Sequence, residues 1–299
     1  MMGPGIAMAL ALGGVRATIL SRTAERARLG LETAKGQLTL LESNGIVGSS
    51  QRERAEQLLS ASHDFEESIA GRDLVVESIP EDMAIKQEWI ARVEELLSPN
   101  AYITSNTSGL SITEMSSKAR HPERICTTHF WNPPHLVPLV EIVMSPKTTT
   151  EMAESLKALL RDCGKVPVIV KKDRPGQLGN RLQMAMVREA VNIVGEGIAD
   201  VEDVDLAASM SFGLRLPAYG IFEHADMVGL DLSYRVCNYV SSDLYGKPEA
   251  PPLYKQLLEA GGTFHDWSKK TKEQVKGRRD GWLLDFLKGP YGKSIRPVD

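Results

Sequence analysis

Hydrophobic positions fall into two regimes along this chain, and the change between them comes near residue 172. Before it, short apolar runs alternate with longer amphipathic stretches. Residues 15–20, 74–77, 101–105, 125–128, 137–144 and 166–170 are rich in Val, Ile, Leu and Thr and predict strands. Between them, residues 6–12, 24–43, 50–61, 83–97 and 148–163 predict helices, with another starting near Ile112. Beyond residue 176 the pattern is helical throughout: 177–195, 201–210, a third helix running through Tyr239, then 251–260 and 273–288. Alternating strand and helix implies a mostly parallel, doubly wound α/β sheet, and the second regime implies an all-helical domain. The charged segment Lys171-Lys172-Asp173-Arg174-Pro175-Gly176 marks the boundary, giving a dinucleotide-binding domain over 1–172 and a helical substrate and dimerisation domain over 173–299.

In an open α/β sheet ligands bind beyond the carboxyl ends of the strands, so the residues there are the candidates for chemistry. Glu77 and the loop Ser78-Ile79-Pro80-Glu81 end one strand, and Asn106-Thr107-Ser108-Gly109 end the next. The latter fit helix capping equally well as a hydroxyl offered to substrate. Cys126 to His135 reads CTTHFWNPPH and Leu136 to Met144 reads LVPLVEIVM, which puts His129 at a strand end before a proline-forced turn. Glu141 is a lone carboxylate inside an apolar run, where an unpaired charge is costly, and His129 is its economical partner. A carboxylate on one imidazole nitrogen fixes the tautomer and raises the basicity of the ring, the arrangement of a general base. A capped strand end with a glutamate at the sheet edge accounts for these residues equally well.

Composition narrows the field. With 299 residues and 42% hydrophobic content the chain is long enough for two domains. A net charge of -4 argues against nucleic acid as partner. Cys126, Cys163 and Cys237 are widely spaced, with no CxxC and no regular histidine spacing, which suits a reducing compartment and offers no metal site. No apolar run approaches a membrane span, so a cytoplasmic protein is expected.

Five segments resemble the 3-hydroxyacyl-CoA dehydrogenase family: SNTSGLSI from Ser105, THFWNPP from Thr128, PLVEIV from Pro138, DRPGQLGNRL from Asp173 and FEHADMVGLD from Phe222. The resemblance covers essentially the whole length. It implies His129 and Glu141 as the catalytic pair, Ser108 and Asn180 as groups that fix the reacting oxygen, Glu77 and the loop after it near the nicotinamide ribose, and Asn106 among the cofactor-binding residues. The implied reaction oxidises a 3-hydroxyl to a ketone, with hydride passing to NAD or NADP. The implied partner is a small hydroxy acid or an acyl-CoA, and a homodimer through the helical domain is expected.

Five departures from the family pattern matter. Gly3 matches only the third glycine of the family's GxGxxG loop, so the first strand and two glycines fall outside the sequence, while Gly3 and Gly5 keep the helix end that receives a pyrophosphate. The strands at 15–20 and 74–76 are then expected about two strand spacings of 4.8 Å apart, with weak dinucleotide binding and a tendency to aggregate. Ser21-Arg22 stands where NAD-specific members carry an Asp, which leans the cofactor toward NADP. Trp131 and Pro134-His135 are similar to members acting on small hydroxy acids, so a compact free acid is the alternative substrate. Ile221 replaces a proline, and Gly262 to Trp267 only loosely follows the family's GxGFYDW. A truncated, catalytically silent relative is the remaining alternative.

Overall fold

The computed structural model describes residues 2–268 and 270–294. The chain runs α1 (Gly3–Leu12), β1 (Ala17–Leu20), α2 (Ala24–Ser43), α3 (Ser49–Gln57), β2 (Leu59–Ser62), α4 (Phe65–Ile69), β3 (Leu74–Glu77), α5 (Met83–Leu96), β4 (Tyr102–Ser105) and α6 (Ile112–Met115). It continues with β5 (Ile125–Phe130), β6 (Leu139–Met144), α7 (Thr150–Asp162) and β7 (Val166–Val170). The helical part comprises α8 (Gly179–Gly195), α9 (Val201–Met210), α10 (Phe212–Arg215), α11 (Ile221–Val228), α12 (Leu230–Ser241), α13 (Pro252–Glu259), α14 (Lys272–Lys288) and α15 (Pro290–Ser294).

Two compact units result, residues Met1–Leu178 with Val275–Asp299, and Gly179–Gln274. The division therefore differs from the expected 1–172 and 173–299. The end of α14 folds back onto the first unit because Leu287 is buried in a cluster with Met8, Leu38 and Leu41, flanked by Leu283, Leu284 and Phe286. Leu257 and its neighbours in the second unit have no share in that cluster.

Strands β3 to β7 form a five-stranded sheet in chain order. β3, β4 and β5 are parallel, β6 runs antiparallel to β5, and β7 is parallel to β6. β1 and β2 pair in parallel as a separate two-stranded sheet, so β1 and β3, expected to be held apart, do not pair with each other. The central strand β5 is buried along its whole length. Helices α1 and α7 cover one face, where Ile6, Leu10, Met152, Leu156 and Leu160 pack on Cys126, Phe130 and Ile142. On the other, Ile90 and Val93 of α5 pack with Val75, Ile103 and Val143.

Three local expectations are corrected. The helix expected over residues 50–61 stops at Gln57, and Leu59-Ser60-Ala61-Ser62 is a strand that buries Leu59 and exposes Ser60. It is held by β1, including a contact of 2.9 Å between the Thr18 and Ser60 hydroxyls. The short α4, which the pattern did not announce, is set by Asp64, whose side chain accepts from the Glu67 N–H at 2.9 Å. The segment expected to lead into the helix through Tyr239 is itself helical: α11 precedes α12 and is separated from it at Gly229, where φ is +94°.

Candidate active site

The site is built on the β5–β6 pair. Antiparallel register places His129 directly opposite Glu141, so their side chains leave the sheet on the same face. His129 Nδ1 donates to Glu141 Oε2 at 2.8 Å, and both residues are buried. This assigns the second proton position, Nε2, to exchange with a ligand. The carboxylate accepts two further bonds: Trp131 Nε1–H reaches Oε2 at 3.0 Å, and the Leu178 N–H reaches Oε1 at 2.9 Å. A fully buried carboxylate is tolerable only with such donors. The capped-edge alternative gives way to a histidine–carboxylate pair inside the sheet, and Asn132-Pro133-Pro134 turns the chain away just beyond it, with a cis bond before Pro133.

The neighbouring loops lie at the same edge, because β4 and β5 are parallel with Ser105 opposite Thr127. Ser108, three residues past the end of β4, is exposed there. Its backbone N–H donates to Glu81 Oε1 at 3.2 Å, and Thr107 Oγ1 donates to the same oxygen. Burial would raise the Glu81 pKa, but the Thr107 hydroxyl and then the Lys86 ammonium outweigh it and hold this carboxyl below its usual range. Glu81 was not singled out by the sequence, since nothing in its spacing marks it.

Glu77, expected near the nicotinamide ribose, and Asn106, expected among the cofactor-binding residues, each hold bonds within the fold. Glu77 is 1% exposed; Lys86 Nζ lies 2.7 Å from both of its oxygens, and Ser105 Oγ and the Ile79 N–H also donate to it. Its carboxylate is thereby an internal tie between β3, β4 and α5. Asn106 Oδ1 accepts from the Phe130 N–H at 2.8 Å and so aligns the end of β5.

The linker out of the sheet is fastened to these loops. Asp173 Oδ2 accepts from Ser111 Oγ and from the Thr113 N–H. Gln177, buried and with φ at +52°, donates from Nε2 to the Thr107 carbonyl at 3.0 Å. Asn180 lies in the first turn of α8, in the second unit.

At the opening helix, nothing lies within 4 Å of a Cβ built on Gly3, and the residue before α1 makes no side-chain capping bond, which leaves this helix start open to an anion such as a diphosphate at Gly3. Gly5 serves packing instead, for a Cβ there would meet Pro134 Cγ at 2.5 Å. Ser21 and Arg22 follow β1 directly; the Ser21 N–H donates to the Ser62 carbonyl, and the Arg22 side chain is exposed. The residues present fit a dinucleotide along this edge. Among the described residues there is no metal-binding cluster and no helix long and apolar enough to cross a membrane.

Comparison with known proteins adds to this geometry. Residues 1–174 match the family described as 3-hydroxyacyl-CoA dehydrogenase, NAD binding domain, and residues 176–273 match its C-terminal domain. The chain is 33% identical over 262 residues to the 5-formyl-3-hydroxy-2-methylpyridine 4-carboxylate 5-dehydrogenase of Mesorhizobium japonicum, covering 87% of this chain and 83% of that one. To a probable 3-hydroxybutyryl-CoA dehydrogenase of Bacillus subtilis it is 32% identical over 278 residues, covering 90% and 95%. A crystal structure of a 5-formyl-3-hydroxy-2-methylpyridine 4-carboxylic acid 5-dehydrogenase, described as an NAD+ dependent dismutase, aligns with a TM-score of 0.85 at 29% identity, covering 95% of this chain and 94% of that one.

Proposed function

The chain belongs to the 3-hydroxyacyl-CoA dehydrogenase family, and from that premise we propose that His129 and Glu141 are the proton-transfer pair of an NAD-dependent oxidation of a substrate hydroxyl. The observation that carries this reading is the bond of 2.8 Å between His129 Nδ1 and Glu141 Oε2 on paired strands. With Nδ1 committed to Glu141, Nε2 takes the hydroxyl proton, and the buried carboxylate stabilises the imidazolium that forms. In the reverse direction His129 returns that proton to the alkoxide. NAD, when bound, accepts the hydride from the carbon that bore the hydroxyl. Gly3 and the N-terminus of α1 would hold its diphosphate, and Ser21 with Arg22 would face the adenosine ribose. Ser108 and Asn180 are proposed to fix the substrate oxygen, Ser108 from the loop stiffened by Glu81.

The substrate reading divides between a 3-hydroxyacyl-CoA and a compact free acid. The free acid is favoured by Trp131, a half-buried indole whose ring lies 5.6 Å from that of His129 and narrows the approach to the base. The likeness to a pyridine-carboxylate dehydrogenase points the same way. NADH formation measured against a panel of 3-hydroxyacyl-CoA thioesters, 3-hydroxy acids and hydroxymethyl-pyridine carboxylates decides between them. Wild-type turnover that survives intact in both His129→Ala and Glu141→Gln would overturn the pair.

The cofactor preference rests on Arg22, an exposed guanidinium without a carboxylate at Ser21 to repel a 2'-phosphate. If Arg22 binds that phosphate, Arg22→Ala weakens NADP binding and leaves NAD unchanged. A preference for NAD that is insensitive to Arg22→Ala removes the phosphate role.

A further inference from the structure

Glu141 Oε2 serves two donors at once, His129 Nδ1 at 2.8 Å and Trp131 Nε1 at 3.0 Å. We infer that Trp131 is a positioning residue that acts on His129 through this shared oxygen, setting how tightly the ring holds the proton it receives. The inference rests on the reading of His129 as the base. An anion whose oxygen already accepts a neutral N–H has part of its charge engaged, so it draws an adjacent imidazolium less strongly than it would alone. Burial makes the effect matter, because Glu141 is 0% exposed and bulk water does not substitute for a lost donor. The same bond fixes the carboxylate plane, since Oε1 is held from the opposite side by the Leu178 N–H at 2.9 Å.

β7 places Val168 opposite Glu141, and β4 presents Thr104, whose hydroxyl accepts from Thr128 Oγ1 at 2.8 Å. The charged group facing the imidazole across β5 and β6 is Glu141 itself. Trp131 thus supplies a neutral contact to the oxygen through which His129 is controlled.

The test follows the histidine directly and needs no substrate. His129 ring resonances, assigned through His129→Gln, are titrated by NMR in wild type and in Trp131→Phe, which keeps an aromatic ring and removes the N–H. The proposal expects the midpoint in Trp131→Phe to rise by about one pH unit, the effect of one hydrogen bond to a charged group. An unmoved or lowered midpoint overturns it. Should Trp131→Phe fail to fold, protein containing 5-fluorotryptophan decides: its N–H is a stronger donor, so the midpoint falls, and an unmoved or raised midpoint overturns the proposal. The acidic limb of the kcat/KM profile for NAD reduction should follow the midpoint. A limb that stays fixed while the midpoint moves would show that His129 is not the base, a failure of the functional reading and not of the contact.

Discussion

At the scale of single residues, buried charge is what the sequence marked best and assigned least well. Glu77 stood out as a carboxylate at a strand end, but its partner Lys86 lies a turn into α5, where a lysine in an amphipathic helix reads as a solvated position. Both side chains are 1% exposed, so their pairing holds only as a pair. Lys86→Met should destabilise the fold by about 3–5 kcal/mol, because it leaves Glu77 charged and buried. Glu77→Gln combined with Lys86→Met should recover most of that loss in urea unfolding, whereas additive losses would show the pair to be unimportant. His135 gives a pH dependence. Burial first, and the Lys165 ammonium second, push it from 6.5 down to about 4. The folded state therefore takes up this proton less readily than the unfolded chain, so its contribution to stability is complete above pH 6.5 and is lost as pH falls toward 4. Lys165, pushed down to about 8 by its own burial, works in a separate alkaline window: stability rises with pH from about 8 to 10.5. Melting temperatures across the acidic window should fall less steeply in His135→Asn than in wild type, and parallel curves would remove His135 as the cause.

At the scale of elements, the sequence disclosed the long periodic segments and the two strands that bring His129 to Glu141. His129 and Glu141 were legible because each interrupts a run of strand formers, and antiparallel pairing around one turn then brings them opposite each other. Trp131, Glu81 and the Leu178 N–H were not legible as contacts, since a loop indole, a loop carboxylate and a backbone donor obey no period. Strand β2 was absorbed into a helix because four residues following directly on α3 carry too little pattern to separate the two. The packing of α1 on α7 gives a test at this level. A Cβ on Gly13 would run into Cys163 Sγ and lie 2.7 Å from Cys163 Cα. Gly13 itself has an ordinary φ of -81°, so the obstacle is steric and not conformational. Gly13→Ala should cost about 1–3 kcal/mol of stability. Adding Cys163→Ala should not restore it, because the backbone atom remains in the way; full rescue would place the clash in the thiol alone.

At the scale of the whole molecule, the hydrophobic pattern carried no sign of the return of α14 to the first unit, which depends on where Leu287 finds apolar neighbours. The helical unit explains why its apolar content was so conspicuous: α9, α10, α11, α12 and α13 contain no buried residue at all. Phe222 and Tyr239 are each 84% exposed, and Met227 is 70% exposed. So many exposed large apolar side chains on neighbouring helices call for a cover that water does not supply. A second copy of the same chain is the expected cover, because a self-complementary patch repeated by two-fold symmetry buries both faces at once. Sedimentation at micromolar concentration should give a dimer for wild type. Phe222→Asp with Tyr239→Asp should shift it to monomer, while the far-UV circular dichroism stays as in wild type. A wild-type monomer, or a dimer indifferent to both substitutions, would mean that these helices do not form the interface.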